Sequence, residues 1–131
     1  MSKNNINVLP FISSQNIKYN FFIVPAFLFD FDISELDKFV YAVIYLYIKS
    51  DMKKNKKDIS DTFCYASNKQ IGELLNKSSS TISKSISKLI KNNLIYTTGS
   101  RKDNDDRKIY LNKNYINLEC NSLYNKIMSQ L

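Results

Sequence analysis

The sequence predicts an α+β fold, mainly α-helical, on three observations. Residues 68–75 carry a short helical pattern, and after a three-residue break a second one starts near Ser79 and runs to about Asn92. The segments "LIYTTG" and "RKIYLN" favour strands and flank the polar stretch "SRKDNDD", which is the pattern of a hairpin. Only 2 Gly and 2 Pro leave little material for the tight turns of an all-β chain, while an apolar fraction of 44% is enough for a core.

The elements follow in order. "INVLPFISSQNIKYNFFIVP" reads as two extended segments around Ser13, Ser14, Gln15 and Asn16, with Pro10 on an edge. Residues 1–24 are therefore expected to form a hairpin arm. Pro25 opens a short helical turn over Ala26 to Phe29. Ser34 is an N-cap, with Glu35 and Asp37 in the first turn, where negative charge suits the helix dipole. The helix it starts is expected over residues 35–50. Leu36, Phe39, Val40, Val43, Ile44 and Tyr47 form one apolar stripe, and Tyr41, Tyr45 and Ile48 a second. A helix apolar on two sides is expected to be buried on both. One side would meet the core, and the other the arm, the C-terminal helix or a second subunit. "KSDMKKNKKDISD" reads as an exposed charged loop, and "TFCYA" as a short strand.

Ser67 then caps the helix of residues 68–75, with Gln70 completing a capping box. Ile71 and Leu75 face inward, and Gly72 is small where the next helix crosses closely. Asn76 can take the left-handed conformation that ends a helix. The second helix, capped by Ser78 or Ser79, turns Ile82, Ile86, Leu89 and Ile90 inward. Leu94 and Ile95 lead into the hairpin and close the core. A last helix is expected from about Leu118, capped by Asn117, with the stripe Cys120, Leu123, Tyr124, Ile127, Met128 and Leu131. Short helix, tight turn, second helix and hairpin make a winged helix-turn-helix over residues 25–113. Residues 114–131 supply a C-terminal helix for packing or dimerisation.

The formal net charge is +7, which points to an anionic partner. Between Cys64 and Lys113 ten Lys and Arg stand against four acids, so this region holds nearly all of the excess. Cys64 and Cys120 are far apart in no metal-ligand spacing and read as free buried thiols of a reducing cytoplasm. "MSKNNINVLP" is polar and no signal peptide, and the apolar runs are too short for a bilayer, so no membrane role is expected. The chain has no histidine, no metal-ligand cluster and no phosphate-cradling glycine loop, so neither catalysis, metal nor cofactor is expected. Asp103-Asn104-Asp105-Asp106 does not read as a calcium loop. The sixth and twelfth positions are Lys108 and Asn114, where such a loop needs Gly and Glu.

"SNKQIGELLNKSSSTISKSISKLIKNNLI" resembles the winged helix-turn-helix of plasmid replication initiators and phage replisome organisers. The matching positions are Ser67-Asn68, Ser78, Thr81-Ile82 and Asn93-Leu94-Ile95. "FFIVPAFL" and the Tyr-rich helix after it are also similar, so the resemblance covers about residues 19–113. In size, AT-rich composition and layout the chain is similar to the small winged-helix accessory proteins of clostridial conjugative plasmids. Asn76 and Asn93 stand where the family has glycine, and Lys77 where it has an apolar residue. Asparagine tolerates positive φ, so two of the three departures are mild.

The resemblance implies double-stranded DNA as partner, bound by a homodimer, with a relaxase or a replication protein as a further partner. Sequence-specific binding at an origin of transfer or replication is the expected role. A transcriptional regulator or a protein–protein adaptor is the alternative. The expected contacts on and around the second helix are Lys69, Lys77, Ser79, Ser80, Ser83, Lys84, Ser87 and Lys88. Short hydroxyls let a helix approach phosphates, and the lysines neutralise them. This face has no Arg, Asn or Gln, the strong base readers. The hairpin holds Arg101, Lys102, Asn104, Arg107 and Lys108, including both arginines of the chain, and is expected to contribute at least as much readout.

Overall fold

In the computed structural model, residues 23–99, 107–116 and 122–131 are described. The expected hairpin arm falls mostly outside them, as do Arg101, Lys102, Asn104 and Cys120.

A 3₁₀ turn, Ala26–Asp30, follows Pro25 and buries Phe27 and Leu28. Helix α1 spans Glu35–Asn55. Its capping box is formed: the Asp37 N–H donates to Ser34 Oγ at 3.1 Å, and the Ser34 N–H donates to Asp37 Oδ2 at 3.0 Å. The helix outruns its expected end at residue 50. Residues 51–55 contain neither Gly nor Pro, and Met52 is half-buried against the core. The Asn55 amide donates to Asp51 one turn back, and Lys57 Nζ lies 3.5 Å from the same carboxylate. Lys56, at φ 53°, ends the helix in the left-handed region. The expected exposed loop is thus mostly helix, followed by the 3₁₀ turn Ile59–Asp61.

The two expected stripes of α1 are each buried in part. Val40, Tyr41, Ala42, Ile44 and Ile48 are fully buried and Val43 is buried too, so members of both stripes are covered. Phe39 and Tyr47 are 43% and 42% exposed, as is Leu46 at 45%. The helix is therefore enclosed all round at residues 40–44 and open on one side toward its ends.

Helix α2 is Asn68–Leu75, with the Ser67/Gln70 capping box in place. Helix α3 is Ser79–Lys91, capped by the Ser78 hydroxyl, which accepts from the Thr81 N–H. Asn76 takes φ 59° and Asn93 φ 60°, the left-handed conformation that glycine would otherwise supply. Gly72 is buried in α2 facing the turn. A Cβ there would run into the Lys77 carbonyl oxygen and come within 3.5 Å of Ile82 Cγ1. The close approach is thus first to the turn backbone and only second to the crossing helix. Ile82, Ile86 and Leu89 of α3 are buried as expected, while Ile90 is 38% exposed and lies at the border.

Strands β1 (Ile95–Thr98) and β2 (Lys108–Leu111) pair antiparallel, with Ile95 opposite Leu111 and Tyr96 opposite Tyr110. The "TFCYA" segment contributes a single bridge: Cys64 and Ile109 exchange both N–H···O bonds, at 2.8 and 3.0 Å. It extends the hairpin by one short step rather than by a full strand. Cys64 is a free buried thiol, and burial pushes its pKa up to about 11. Beyond the sheet come α4, Lys113–Ile116, and α5, Ser122–Ser129. Tyr115 of α4 packs edge-on against Phe31 and stacks on Phe27. α5 lies against the 3₁₀ turn Ala26–Asp30, and its Ile127 and Met128 stay half-exposed. Among the described residues no helix is long and apolar enough to cross a membrane.

One polar contact joins the layers. Ser85 of α3 points inward, and its hydroxyl donates to Asp37 Oδ1 at 2.7 Å, 48 positions away in sequence. Both residues are buried. Removing the Ser85 hydroxyl leaves a buried carboxylate oxygen without its donor, so Ser85→Ala is expected to cost about 1–3 kcal/mol in urea denaturation. Ser87→Ala, on the exposed side of the same helix, is expected to stay within about 0.5 kcal/mol. Gly72→Ala gains ~1 kcal/mol of helix propensity but meets backbone, and a net loss of about 1–2 kcal/mol is expected by the same measurement.

Candidate nucleic-acid interface

Helix α3 has two unlike sides because its sequence has two interleaved patterns. Ile82, Ser85, Ile86 and Leu89 lie at i, i+3, i+4 and i+7 and are buried. Ser79, Ser80, Lys84, Ser87, Lys88 and Lys91 are exposed, and Ser83 is half-buried at the border. Ser80, Lys84, Ser87, Lys88 and Lys91 fall at spacings of three and four, so the hydroxyl and ammonium groups form one continuous strip.

The electrostatics of that strip are one-sided. Helix α3 contains no Asp or Glu, and among the described residues no carboxylate pairs with Lys84, Lys88 or Lys91. Lys88 and Lys91 sit in the last turn, where the helix dipole favours cations. Lys84 has no such support, and at i, i+4 from Lys88 it adds a like-charge pair that costs about 0.2–0.5 kcal/mol. Ser80 is partly engaged, its Oγ lying 3.2 Å from that of Ser78. Lys69 is exposed in the first turn of α2 and Lys77 is exposed in the turn between the helices. The Lys77 backbone is fixed by its N–H donating to the Gly72 carbonyl at 2.8 Å.

The hairpin residues have separate fates. Arg107 turns back into the protein. Its Nη1 donates to Asn68 Oδ1 at 2.8 Å and its Nη2 to the Ala66 carbonyl at 2.7 Å. It is half-buried, and that burial lowers its pKa from the ordinary arginine value. The guanidinium thus ties the base of β2 to the start of α2, and the expectation that it reaches into a groove has to give way to this internal role. Lys108 Nζ sits 4.9 Å from the centre of the Phe63 ring, on the outer face of the sheet. Nothing in the sequence marks Arg107 as internal, because its partners are about 40 residues away. The inward turn of Ser85 does have a sequence signal, its place between Ile82 and Ile86 on the helical wheel, although its partner has none.

The Arg107 contact has a measurable consequence. Arg107→Ala leaves two acceptors without donors and is expected to lower stability by about 1–3 kcal/mol in urea denaturation. Arg107→Lys should recover only part of this, since one ammonium does not reproduce a planar two-pronged donor. Full stability in both variants would show that the contact is dispensable.

No protein-family model matches the sequence, and no curated protein matches it. A solved structure described as the N-terminal domain of a DNA binding protein is similar in fold, with a TM-score of 0.60 over 91% of each chain and 18% sequence identity.

Proposed function

We propose that the chain binds double-stranded DNA sequence-specifically as a winged-helix protein, serving as an accessory factor at an origin of conjugative transfer or replication on a plasmid or mobile element. The observation that carries this reading is the acid-free strip of serine and lysine on α3, opposite a fully buried apolar side. A fold built for stability alone gains nothing from the Lys84–Lys88 repulsion, whereas a polyanion relieves it. The fold likeness to a domain of a protein described as DNA-binding supports the same reading.

In this arrangement α3 lies in the major groove, as the second helix of such a pair does. Lys84, Lys88 and the turn residue Lys77 neutralise phosphates, and Ser79, Ser80, Ser83 and Ser87 donate hydrogen bonds to them. Releasing the condensed counterions makes the affinity fall steeply with salt. The hairpin contributes at least as much readout as α3, through Arg101, Lys102 and Asn104, with Arg107 holding the base of β2 against α2. A homodimer would present two such surfaces to two half-sites. The surface suited to dimerisation is a groove of about 490 Å³ between α1 and α2, lined by Val43, Leu46, Tyr47, Ser50, Leu74 and Leu75. Transcriptional control through the same contacts is the nearest alternative role.

The test is fluorescence anisotropy with a plasmid origin duplex over a range of salt concentrations. Lys84→Ala and Lys88→Ala should each weaken binding on every sequence and reduce the slope of log K against log salt by about 1. An unchanged slope, or no binding of any duplex at low salt, would overturn the proposal.

A further inference from the structure

The hairpin sheet has a second side. Its inner residues, Ile95, Ile109, Leu111 and the bridging Cys64, are buried. Strand alternation puts Phe63, Tyr65, Tyr96, Thr98, Lys108 and Tyr110 on the outer side. The solvent side of an antiparallel sheet is ordinarily polar. Here four of the six residues are aromatic, with Tyr65 63% and Tyr96 50% exposed.

The rings form one row. Tyr65 meets Phe63 edge-to-face with centres 4.6 Å apart, and Phe63 lies 5.3 Å from Tyr110. Tyr110 stacks on Tyr96 at 4.9 Å with planes 7° apart. Tyr96 belongs to β1, which among the described residues pairs with β2 alone, and it is 50% exposed although one ring face is stacked on Tyr110. The only charge among the six is the Lys108 ammonium, held over Phe63 at 4.9 Å. No carboxylate and no Leu, Ile, Val or Met lies among them.

That composition selects an occupant. A surface that docks an apolar helix is ordinarily apolar across its centre, whereas these six residues include three tyrosine hydroxyls and an ammonium. Open aromatic faces beside a cation suit nucleobases joined by phosphates, because every base has a π-face and stacking tolerates any sequence. Sheets that bind single-stranded RNA use exposed aromatic residues in this way. In a duplex the base faces are covered by their neighbours, so only an unpaired strand fits.

We propose that the outer face of the hairpin sheet binds single-stranded nucleic acid, with bases stacking on Tyr96 and Tyr65 and phosphate drawn to Lys108. This surface is separate from the α3 strip, and the inference does not depend on duplex binding.

The experiment uses the full chain and fluorescein-labelled oligothymidine of about 15 nucleotides, near the upper end of a single-strand site, read by anisotropy at low salt. Tyr65→Ala and Tyr96→Ala should each weaken binding about 5- to 100-fold, while Tyr65→Phe and Tyr96→Phe keep it. Lys84→Ala, which removes one phosphate contact of the α3 strip, should weaken oligothymidine binding less than either tyrosine-to-alanine change does. Both tyrosines are half or more exposed, and circular dichroism checks that each variant is folded. Three results would overturn the proposal: no oligothymidine binding by the unaltered chain, alanine variants that bind as well as it does, or phenylalanine variants as weak as the alanine ones. Alanine variants that change only the sedimentation coefficient would assign the face to a protein contact and overturn it equally.

Discussion

Asp37 has both carboxylate oxygens engaged inside the protein. One closes the cap of α1 by accepting from the Ser34 N–H, and the other accepts from the Ser85 hydroxyl in the middle of α3. A buried polar group needs its partners, because leaving one unpaired costs more than the bond itself contributes. The contact therefore does more than add stability. It allows one rotation of α3 about its own axis, the one that turns Ser85 inward. Burial of Ile82, Ile86 and Leu89 enforces the same rotation. With that rotation fixed, Ser79, Ser80, Ser87 and the three lysines can only face water.

This explains a helix that is otherwise poorly composed. Serine is a mediocre helix former because its hydroxyl competes for backbone hydrogen bonds. Six serines between positions 78 and 87 would weaken an isolated helix. Ser78 is the N-cap and Ser85 is an internal hydrogen-bond donor, so two of the six have structural tasks. Ser79, Ser80 and Ser87 are left on the outside among the lysines, with Ser83 at the border. Small hydroxyls there keep the surface low, so an approaching backbone of phosphates is not held off by long side chains. The turn before α3 has the same logic: Gly72 lets the Lys77 carbonyl come close, which sets how α3 leaves α2.

Much of the fold was legible because it rests on local chemistry. Ser34, Ser67 and Ser78 start helices where hydroxyls cap orphan N–H groups, and Asn76 and Asn93 take the left-handed conformation where the chain leaves α2 and α3. The hairpin followed from two β-prone segments about a polar stretch. What was hidden depends on distance in sequence. The extra turns of α1 are held by Asp51 with Asn55 and Lys57 and by Met52 against the core, features too weak to read one by one. Both apolar stripes of α1 contribute to the core, Val40 and Ile44 from one and Tyr41 and Ile48 from the other, and only the packing of neighbouring elements decides which members of each are covered. Arg107 is the clearest case. In sequence it stands in a cationic hairpin, yet Ala66 and Asn68 claim its guanidinium. The aromatic face of the sheet became visible only once the Cys64–Ile109 bridge set Phe63 beside Tyr110, with Tyr65 against Phe63.

If the outward side of α3 is the surface a DNA duplex touches, amide chemical shifts followed during titration with duplex will locate it there. The largest shifts are then expected on residues 77–91, with the α1–α2 groove around Leu46 and Leu74 little affected at the first additions. Shifts concentrated on that groove, with residues 79–88 unmoved at saturation, would contradict it.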